Sequence, residues 1–362
     1  MQRPRAAIDL TDYLIDGYWS ANGWQPRQWS GETVRYTVAD DLTSANRRAI
    51  EFALESWSDI VPLEFEQTSS SASLFFQKGH DHSAWNAAAA LRSGEIVASI
   101  VSIDTSVYLW DDLVTPGEFG RLTLLHEIGH ALGLGHPGDY NERGTTAADA
   151  HFSEDSKQFT VMSYFPATRT DANHMSAAGH VHATTPLLYD ILAAQRVYGA
   201  NMDTRATDTV YGMAAGADAR DFDWSDGAPP VAAIWDGGGY DTIDVSHFGT
   251  DQVLSLQEGS FSDIGGLRAN LAIAYGTTIE AGYTGPGDDR LLGNDAENDL
   301  RGGAGADQIF AAGGDDRIEG GPGDDTLSGG SGADTFVFEA NSGAEYASGL
   351  TAVDLFGLEV PR

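Results

Sequence analysis

The feature that most restricts what this chain can fold into is a nine-residue period in its C-terminal part. The pattern G-G-x-G-x-D-x-U-x, with U a large apolar residue, is complete at Gly302 to Phe310, Gly320 to Ser328 and Gly329 to Val337. Thr284 to Leu292 and Ala311 to Glu319 keep the Asp and the apolar position, Gly293 to Arg301 has Asn298 where Asp is expected, and Asp236 to Asp244 is an isolated earlier copy. Leu291, Leu300, Ile309, Ile318, Leu327 and Phe336 therefore recur at intervals of nine, a regularity that a flexible Gly/Asp-rich tail has no reason to keep. Within each nonamer the first six residues supply glycines that permit positive φ and one fixed carboxylate. The last three form a short strand with one inward apolar side chain. Stacked turns of this kind predict a parallel β-roll.

The charge of the repeat indicates its purpose. Residues 284–337 contain 12 acidic residues against Arg290, Arg301 and Arg317. Stacking brings Asp289, Asp307, Asp316, Asp325 and Asp334 toward neighbouring turns. The loops of Gly302, Gly303, Gly305, Gly320, Gly321, Gly323, Gly329, Gly330 and Gly332 add carbonyl groups. Such a cage of hard oxygen atoms suits Ca²⁺, whereas Mg²⁺ demands a tighter octahedron. Without the cation the carboxylates repel, so the expectation is a C-terminal domain that is loosely packed without calcium and folds as it binds. The whole chain of 362 residues carries 20 Lys plus Arg against 54 Asp plus Glu, a formal charge of −34, which argues against nucleic acid or an anionic membrane as partner. With Cys 0, disulfide frameworks and thiolate metal clusters are excluded. No run approaches the length of a membrane span, and Met1 to Leu10 lacks the apolar core of a secretory signal, so export is expected to use another route.

Upstream of about residue 235 lie all but one of the His, and helices and strands intermix. Ala45, Ala49, Ile50, Ala53, Leu54 and Trp57 fall at helical steps behind Thr43 or Ser44 as N-cap, predicting an amphipathic helix over Thr43 to Ile60. Glu95 to Val107 reads as a strand, with Trp85 to Leu91 a neighbouring edge strand. Leu187 to Tyr198 reads as a helix with Pro186 in its first turn and Gly199 after its end. The sharpest chemical signal is Leu125-His126-Glu127-Ile128-Gly129-His130-Ala131-Leu132-Gly133-Leu134-Gly135-His136-Pro137. His126 and His130 lie one helical turn apart, so both imidazoles reach one Zn²⁺, with Glu127 beside them as general base. Gly133 can take a left-handed conformation that ends the helix and lets His136 supply a third nitrogen. Three His leave a fourth position open, as a catalytic zinc needs.

H-E-x-x-H-x-x-G-x-x-H is the metzincin signature. Together with Pro137, Met162-Ser163-Tyr164 and the nonamers, it makes the chain resemble the serralysins, secreted bacterial zinc endopeptidases, from about Val34 to Phe338. The resemblance implies an α+β chain. Residues 1–203 would hold an N-terminal segment and a metzincin-like catalytic domain of mixed sheet plus helices, and residues 204–362 the RTX calcium-binding β-roll with a short tail. It implies one catalytic zinc and several structural calcium ions. Met162 would form an apolar floor beneath the zinc. Tyr164 would be an additional zinc ligand that swings away to hydrogen-bond the tetrahedral intermediate. A further calcium site would use Arg205, through its carbonyl, with Asp208, Asp236, Gly238 and Asp241.

The expected reaction is peptide-bond hydrolysis. Glu127 accepts the proton of the attacking water and delivers it to the leaving amine, and no acyl-enzyme is required. An extended substrate would pair with Trp85 to Leu91. Expected partners are protein or peptide substrates and a proteinaceous protease inhibitor, with no nucleic acid and no membrane span, and the chain is expected to be a monomer exported by a C-terminal-signal route. The rival reading, a calcium-dependent surface-binding protein on an inactive metzincin scaffold, is disfavoured by the complete set His126, Glu127, His130 and His136. His80, His82, His151, His174, His180, His182 and His247 lack metal spacing and are expected to be surface or hydrogen-bonded residues. Trp19, Trp24, Trp29 and Trp57 are expected in packing roles, while Asp139 and Tyr140 match the family without a physical role. Met1 to about Arg27 could include a propeptide remnant. The ending Asp354 to Arg362 departs from the longer family tail that serves as an export signal.

Overall fold

A computed structural model describes residues 10–104, 106, 115–140, 146–213, 215–339, 343–344, 346–348 and 355–359. The chain separates into two compact units, one of Met1–His174, Ala178–Asn201 and Val231–Ala233, the other of Met175–Ala177, Met202–Pro230 and Ile234–Arg362.

The first unit is built on a sheet of β1 (Gln28–Trp29), β2 (Thr33–Val38), β3 (Glu64–Gln67), β4 (Leu74–Lys78), β5 (Ala84–Ala90) and β6 (Glu95–Ile103), in the order β1-β6-β4-β2-β3 with β5 also on β6. All pairings are parallel except β5 with β6. Alternation in β2 buries Val34, Tyr36 and Val38 and leaves Thr33 and Arg35 in solvent. The expected strand beyond β6 stops at Ile103. The carboxylate of Asp104 there accepts from the backbone N–H groups of His82 and Ser106, and Val107 lies outside the described residues.

Helix α1 (Ser44–Ser58) starts at Thr43, whose hydroxyl accepts from the Asn46 N–H while the Asn46 side chain accepts from the Thr43 N–H. Its buried face holds Ala49, Ile50, Ala53, Leu54 and Trp57. Helix α2 (Phe119–Ala131) is apolar nearly all round, with Leu124, Leu125 and Ile128 fully buried. Each such side chain contributes about 1.5–3 kcal/mol by burial. Trp57 of α1 donates its indole N–H to the Leu125 carbonyl. Helix α2 ends where Gly133 takes φ +95°, and a Cβ there would stand 2.0 Å from the Arg27 carbonyl oxygen. Helix α3 (Leu188–Tyr198) has Leu187 as N-cap, so Pro186 precedes the helix rather than sitting in its first turn; Gly199, φ +86°, closes it. The Asp190 carboxylate caps the helix by accepting from the Leu187 N–H.

The second unit is a parallel β-roll. One sheet runs in the order Leu355–Glu359, Thr335–Glu339, Arg317–Glu319, Asp299–Arg301, Ala281–Tyr283, Thr242–Asp244, Val210–Gly212. The other runs Val253–Ser255, Arg290–Leu292, Gln308–Gly313, Thr326–Ser331, Tyr346–Ser348. Successive nonamers alternate between the sheets, so Leu300 pairs with Ile318 and Ile309 with Leu327, two repeats apart. Leu291, Leu300, Ile309, Ile318, Leu327 and Phe336 are all 0% exposed. The copy at Asp236 to Asp244 is not isolated in space: Thr242–Asp244 joins Val210–Gly212 to Ala281–Tyr283. The turns stack backbone on backbone. At Gly305, φ +145°, a Cβ would lie 1.8 Å from the Gly287 carbonyl oxygen. The tail adds Leu355–Glu359 as a further parallel strand on Thr335–Glu339, while Asp354 and residues 360–362 lie outside the described residues. Among the described residues no helix is long and apolar enough to cross a membrane.

Candidate metal centre

Helix α2 and the turn after it bring His126, His130 and His136 together, with one ring nitrogen of each within 4.8 Å of the others. Nε2 of His136 lies 3.0 Å from Nε2 of His130 and 3.2 Å from Nε2 of His126. Two of the rings are oriented by the backbone. Nδ1–H of His126 donates to the Val161 carbonyl at 2.8 Å, and Nδ1–H of His130 to the Leu134 carbonyl at 2.8 Å. Their Nε2 atoms therefore carry lone pairs, both turned toward Nε2 of His136, and one cation shared by the three nitrogens would satisfy them together. Burial pushes all three imidazoles below their usual pKa, His130 to about 4, so they are neutral at pH 7. Glu127 is buried, its Oε2 has no hydrogen-bond partner, and burial alone pushes its carboxyl up to about 8. A nearby cation acts in the opposite direction and favours the carboxylate. Three neutral imidazoles beside an unanswered carboxylate fit zinc in donor type and number.

A second set of unanswered oxygens lies in the roll. Oδ1 of Asp289, Asp307, Asp316, Asp325 and Asp334 accepts the backbone N–H of Gln252, Asp289, Asn298, Asp307 and Asp316 respectively. Oδ2 of Asp289, Asp307 and Asp316 is buried without a hydrogen-bond partner. The first glycine of the nonamer leaves room for this oxygen. A Cβ at Gly302 would stand 2.3 Å from Asp307 Oδ2, at Gly320 2.2 Å from Asp325 Oδ2, and at Gly329 2.0 Å from Asp334 Oδ2. The second glycines Gly303, Gly321 and Gly330 take φ of +103°, +100° and +100°, and Gly332 takes +141°. Gly323 has no positive φ, yet a Cβ there would lie 1.6 Å from the Gly305 carbonyl oxygen. Burial raises Asp289 to about 6 and Asp307 and Asp316 to about 7, with neighbouring carboxylates adding to the rise. Hard, anionic oxygens in repeated array fit calcium.

The family description "Peptidase M10 serralysin C terminal" matches residues 200–357. The metalloprotease AprA of Pseudomonas entomophila is 41% identical over 261 residues, 69% of this chain and 53% of its own length. The serralysin of Photorhabdus laumondii is 40% identical over 271 residues, 72% and 55%, and serralysin C of Dickeya chrysanthemi 45% over 190 residues, 51% and 39%. The chain belongs to the serralysin family. It spans about half the length of the first two of these relatives.

Other residues of this serralysin-family chain surround the trio. Met162 is fully buried with its sulfur against α2, where a Cβ on Gly129 would come within 2.6 Å of Sδ. The Tyr164 ring centroid lies 4.6 Å from that of His136 and 5.7 Å from that of His126. A cleft of about 400 Å³ opens beside them, lined by His126, Glu127, Val161, Tyr164, Phe119 and Lys157 among others. Tyr140, to which sequence reasoning gave no role, stacks on His136 at 5.3 Å and donates its hydroxyl to Asp155 Oδ1, which also accepts from the Ser163 hydroxyl. Asp190 accepts from the Thr160 hydroxyl and the Val161 N–H, fixing the segment whose carbonyl orients His126. Asp155 and Asp190 were missed. Asp190 was legible only as an acid in the first turn of α3, since nothing local shows where the Val161 segment will lie. Residues 10–21 brace the His136 turn: the Leu14 carbonyl accepts the Gly135 N–H, the Trp19 indole donates to the Gly133 carbonyl, and Tyr18 meets His136 edge-on at 5.3 Å.

The upstream acidic set is only partly assembled. Asp236 Oδ1 accepts from the Gly238 N–H and Oδ2 from the Tyr211 hydroxyl; Asp241 Oδ1 accepts from the Thr209 N–H while its Oδ2 is buried and unanswered. Burial raises both acids, and the charge of Asp236 raises Asp241 further. Glu280 joins them by accepting the Asp241 N–H, and at 39 positions away it carries no local signal of that role. Asp208 is engaged with the Tyr240 N–H, and Arg205, φ +46°, donates its guanidinium to the Trp235 carbonyl.

Two expectations need correction. Trp24 is 58% exposed, unlike the buried Trp19, Trp29 and Trp57. Its ring lies 5.4 Å from the Arg27 guanidinium, and that contact needs no burial. His247 is half-buried and is not hydrogen-bonded through its ring. Both of its ring nitrogens are buried without a hydrogen-bond partner, and its ring lies 4.1 Å from that of Phe248, so it packs as an aromatic. His180 and His182 stack on each other at 4.3 Å, and His151 lies 3.5 Å from Asp139.

Proposed function

We propose that this chain is a secreted zinc-dependent endopeptidase that hydrolyses peptide bonds of proteins, with a metzincin-like catalytic domain in residues 1–203 and a calcium-stabilised roll in residues 204–362. The observation that carries the reading is the convergence of three Nε2 atoms beside the unanswered Oε2 of Glu127, open to a cleft. The relatives are named metalloprotease and serralysin, which agrees with it.

His126, His130 and His136 would hold the zinc, with Tyr164 as a further ligand at rest. Bound there, zinc supplies Lewis acidity to a water and to the scissile carbonyl. The Val161 and Leu134 carbonyls keep two imidazoles in the tautomer that presents Nε2. Glu127 takes the proton of the attacking water at Oε2 and passes it to the leaving amine, so one carboxylate serves as base and then as acid. The Tyr164 hydroxyl donates to the developing oxyanion. The outer edge of β5 carries no partner strand among the described residues and offers main-chain groups to an extended substrate. In the roll, Asp289, Asp307, Asp316, Asp325 and Asp334 would hold calcium, and Asp208, Asp236 and Asp241, with the carbonyl of Arg205 and the loop of Gly238, a further ion. Dependence on calcium suits work outside the cell, where modules bind the ion at about 10⁻⁴–10⁻³ M.

The deciding experiment is casein digestion by the Glu127→Gln variant. Cleavage falls by about 10²-fold or more, the usual worth of a general base, while zinc content and circular dichroism stay as in the parent. Cleavage that survives either this change or removal of zinc overturns the mechanism.

A further inference from the structure

Lys157 is an unusual lysine for a chain with 54 acidic residues and 20 basic ones. It lies five positions before Met162, and its backbone N–H is pinned to the Phe165 carbonyl at 3.0 Å. Its side chain lines the cleft that holds His126 and Glu127, with Nζ 5.4 Å from the centroid of the Phe119 ring. No carboxylate lies within ion-pair distance of it among the described residues. Lys157 is the single Lys or Arg among the described lining residues, and Glu127 the single acid.

The Lys157 charge does not lower Glu127, whose raised pKa reflects burial alone. That charge is felt instead at His126, His180 and His182, and His182 stands 5.2 Å from the same Phe119 ring. Among the described residues of this flank the positive charge is that of Lys157, since His182 is held neutral at pH 7 with its pKa pushed down to about 4. Burial lowers the pKa of Lys157 without any compensating partner, a deficit that an entering anion would remove.

We propose that Lys157 forms an anion-accepting subsite of the cleft that takes an acidic side chain of the peptide substrate close to the scissile bond. The proposal rests on the peptidase reading above and adds a substrate preference to it. At long range the net negative chain repels an acidic peptide, but beyond about 8 Å that repulsion is screened at physiological ionic strength. Inside the cleft the unscreened contact decides. A charge-assisted pair in a half-buried wall discriminates Glu from its neutral isostere Gln, because Gln leaves the ammonium uncompensated.

The test uses the full zinc- and calcium-loaded chain and internally quenched peptides that differ only in carrying Glu, Gln or Lys at each position flanking the scissile bond. At one position Glu exceeds Gln by about tenfold in kcat/KM, the size of one charge-assisted contact. Lys157→Met brings that ratio to about one, Lys157→Arg keeps it, and Lys157→Glu inverts it in favour of Lys. Should the methionine variant fail to fold, Lys157→Gln replaces it. The same peptides are titrated by fluorescence anisotropy against the Glu127→Gln variant with and without Lys157→Met. Absence of a Glu preference in binding, or its survival in Lys157→Met, overturns the subsite. A binding preference with no cleavage by the parent chain leaves the subsite standing and overturns the peptidase reading instead.

Discussion

The two units differ in how their unanswered buried polar groups are arranged: mixed and local around α2, a repeated column of carboxylates in the roll. Around α2, the chain answers the groups that set the site: His126 by Val161, His130 by Leu134, Asp190 by Thr160, Val161 and Leu187, and Asp155 by Tyr140 and Ser163. Among the atoms left unanswered there, with Nδ1 of His136 and Oδ2 of Asp155, Oε2 of Glu127 is the one whose residue lines the cleft, as the single acid among the described lining residues. In the roll each nonamer Asp has one oxygen answered by the backbone, while Oδ2 of Asp289, Asp307 and Asp316 is buried with no partner. The first unit draws its stability from long apolar elements and, in the proposed function, needs a metal only for chemistry. Strands of the roll such as Asp299–Arg301 and Arg317–Glu319 are three residues long and bury one large side chain each, too little to offset a column of like charges. On the proposed reading, a cation there is part of the fold.

The sharpest way to break this contrast is selective chelation. Withdrawing calcium unfolds the roll, seen as loss of its circular dichroism and of its calorimetric transition, since each ion held at 1,000-fold its Kd stabilises by about 4 kcal/mol. Withdrawing zinc alone abolishes cleavage and leaves both transitions in place. A roll that melts unchanged in chelator would erase the distinction. The next effect in size separates two glycines. Gly323→Ala drives a Cβ to 1.6 Å from the Gly305 carbonyl oxygen and destabilises the calcium-loaded roll by about 3 kcal/mol or more. Asp190→Ala, in the other unit, strands three donors and costs about 2–3 kcal/mol, and it weakens zinc binding by about tenfold through Val161. Gly199→Ala, at φ +86° and ψ 165° in a region that only glycine readily adopts but with nothing within 4 Å, costs about 1–3 kcal/mol. Denaturant titration of the loaded protein orders all three.

The same contrast explains what could be read from the sequence. The roll was legible because a period of nine encodes its own neighbours: knowing one turn fixes the next. Its upstream strands, Val210–Gly212 and Val253–Ser255, were not, since they join the sheets without carrying the nonamer. The trio was legible because helical spacing and one left-handed glycine bring its rings together locally. Tyr140, Asp155 and Asp190 act across 15 to 30 residues, and no local rule says which segment will pack beside which. Glu280 escaped for the same reason.

The effect of pH is the one with the most specific sign. Asp307 and Asp316 are raised to about 7 by burial and by their neighbours, from an ordinary value near 4. A carboxyl whose pKa is higher in the folded than in the unfolded chain binds more protons when folded. Its contribution is therefore fully present below about pH 4 and is lost as pH rises through about 7. In chelator, lowering the pH from 7 toward 4 should restore part of the roll's circular dichroism, because protons then neutralise the column that calcium otherwise holds. Asp307→Asn with Asp316→Asn should flatten that recovery at these two turns. A metal-free roll that loses structure on acidification over this window would show that the carboxylates are stabilised as anions by the chain itself, and the unanswered Oδ2 atoms would no longer account for the need for calcium.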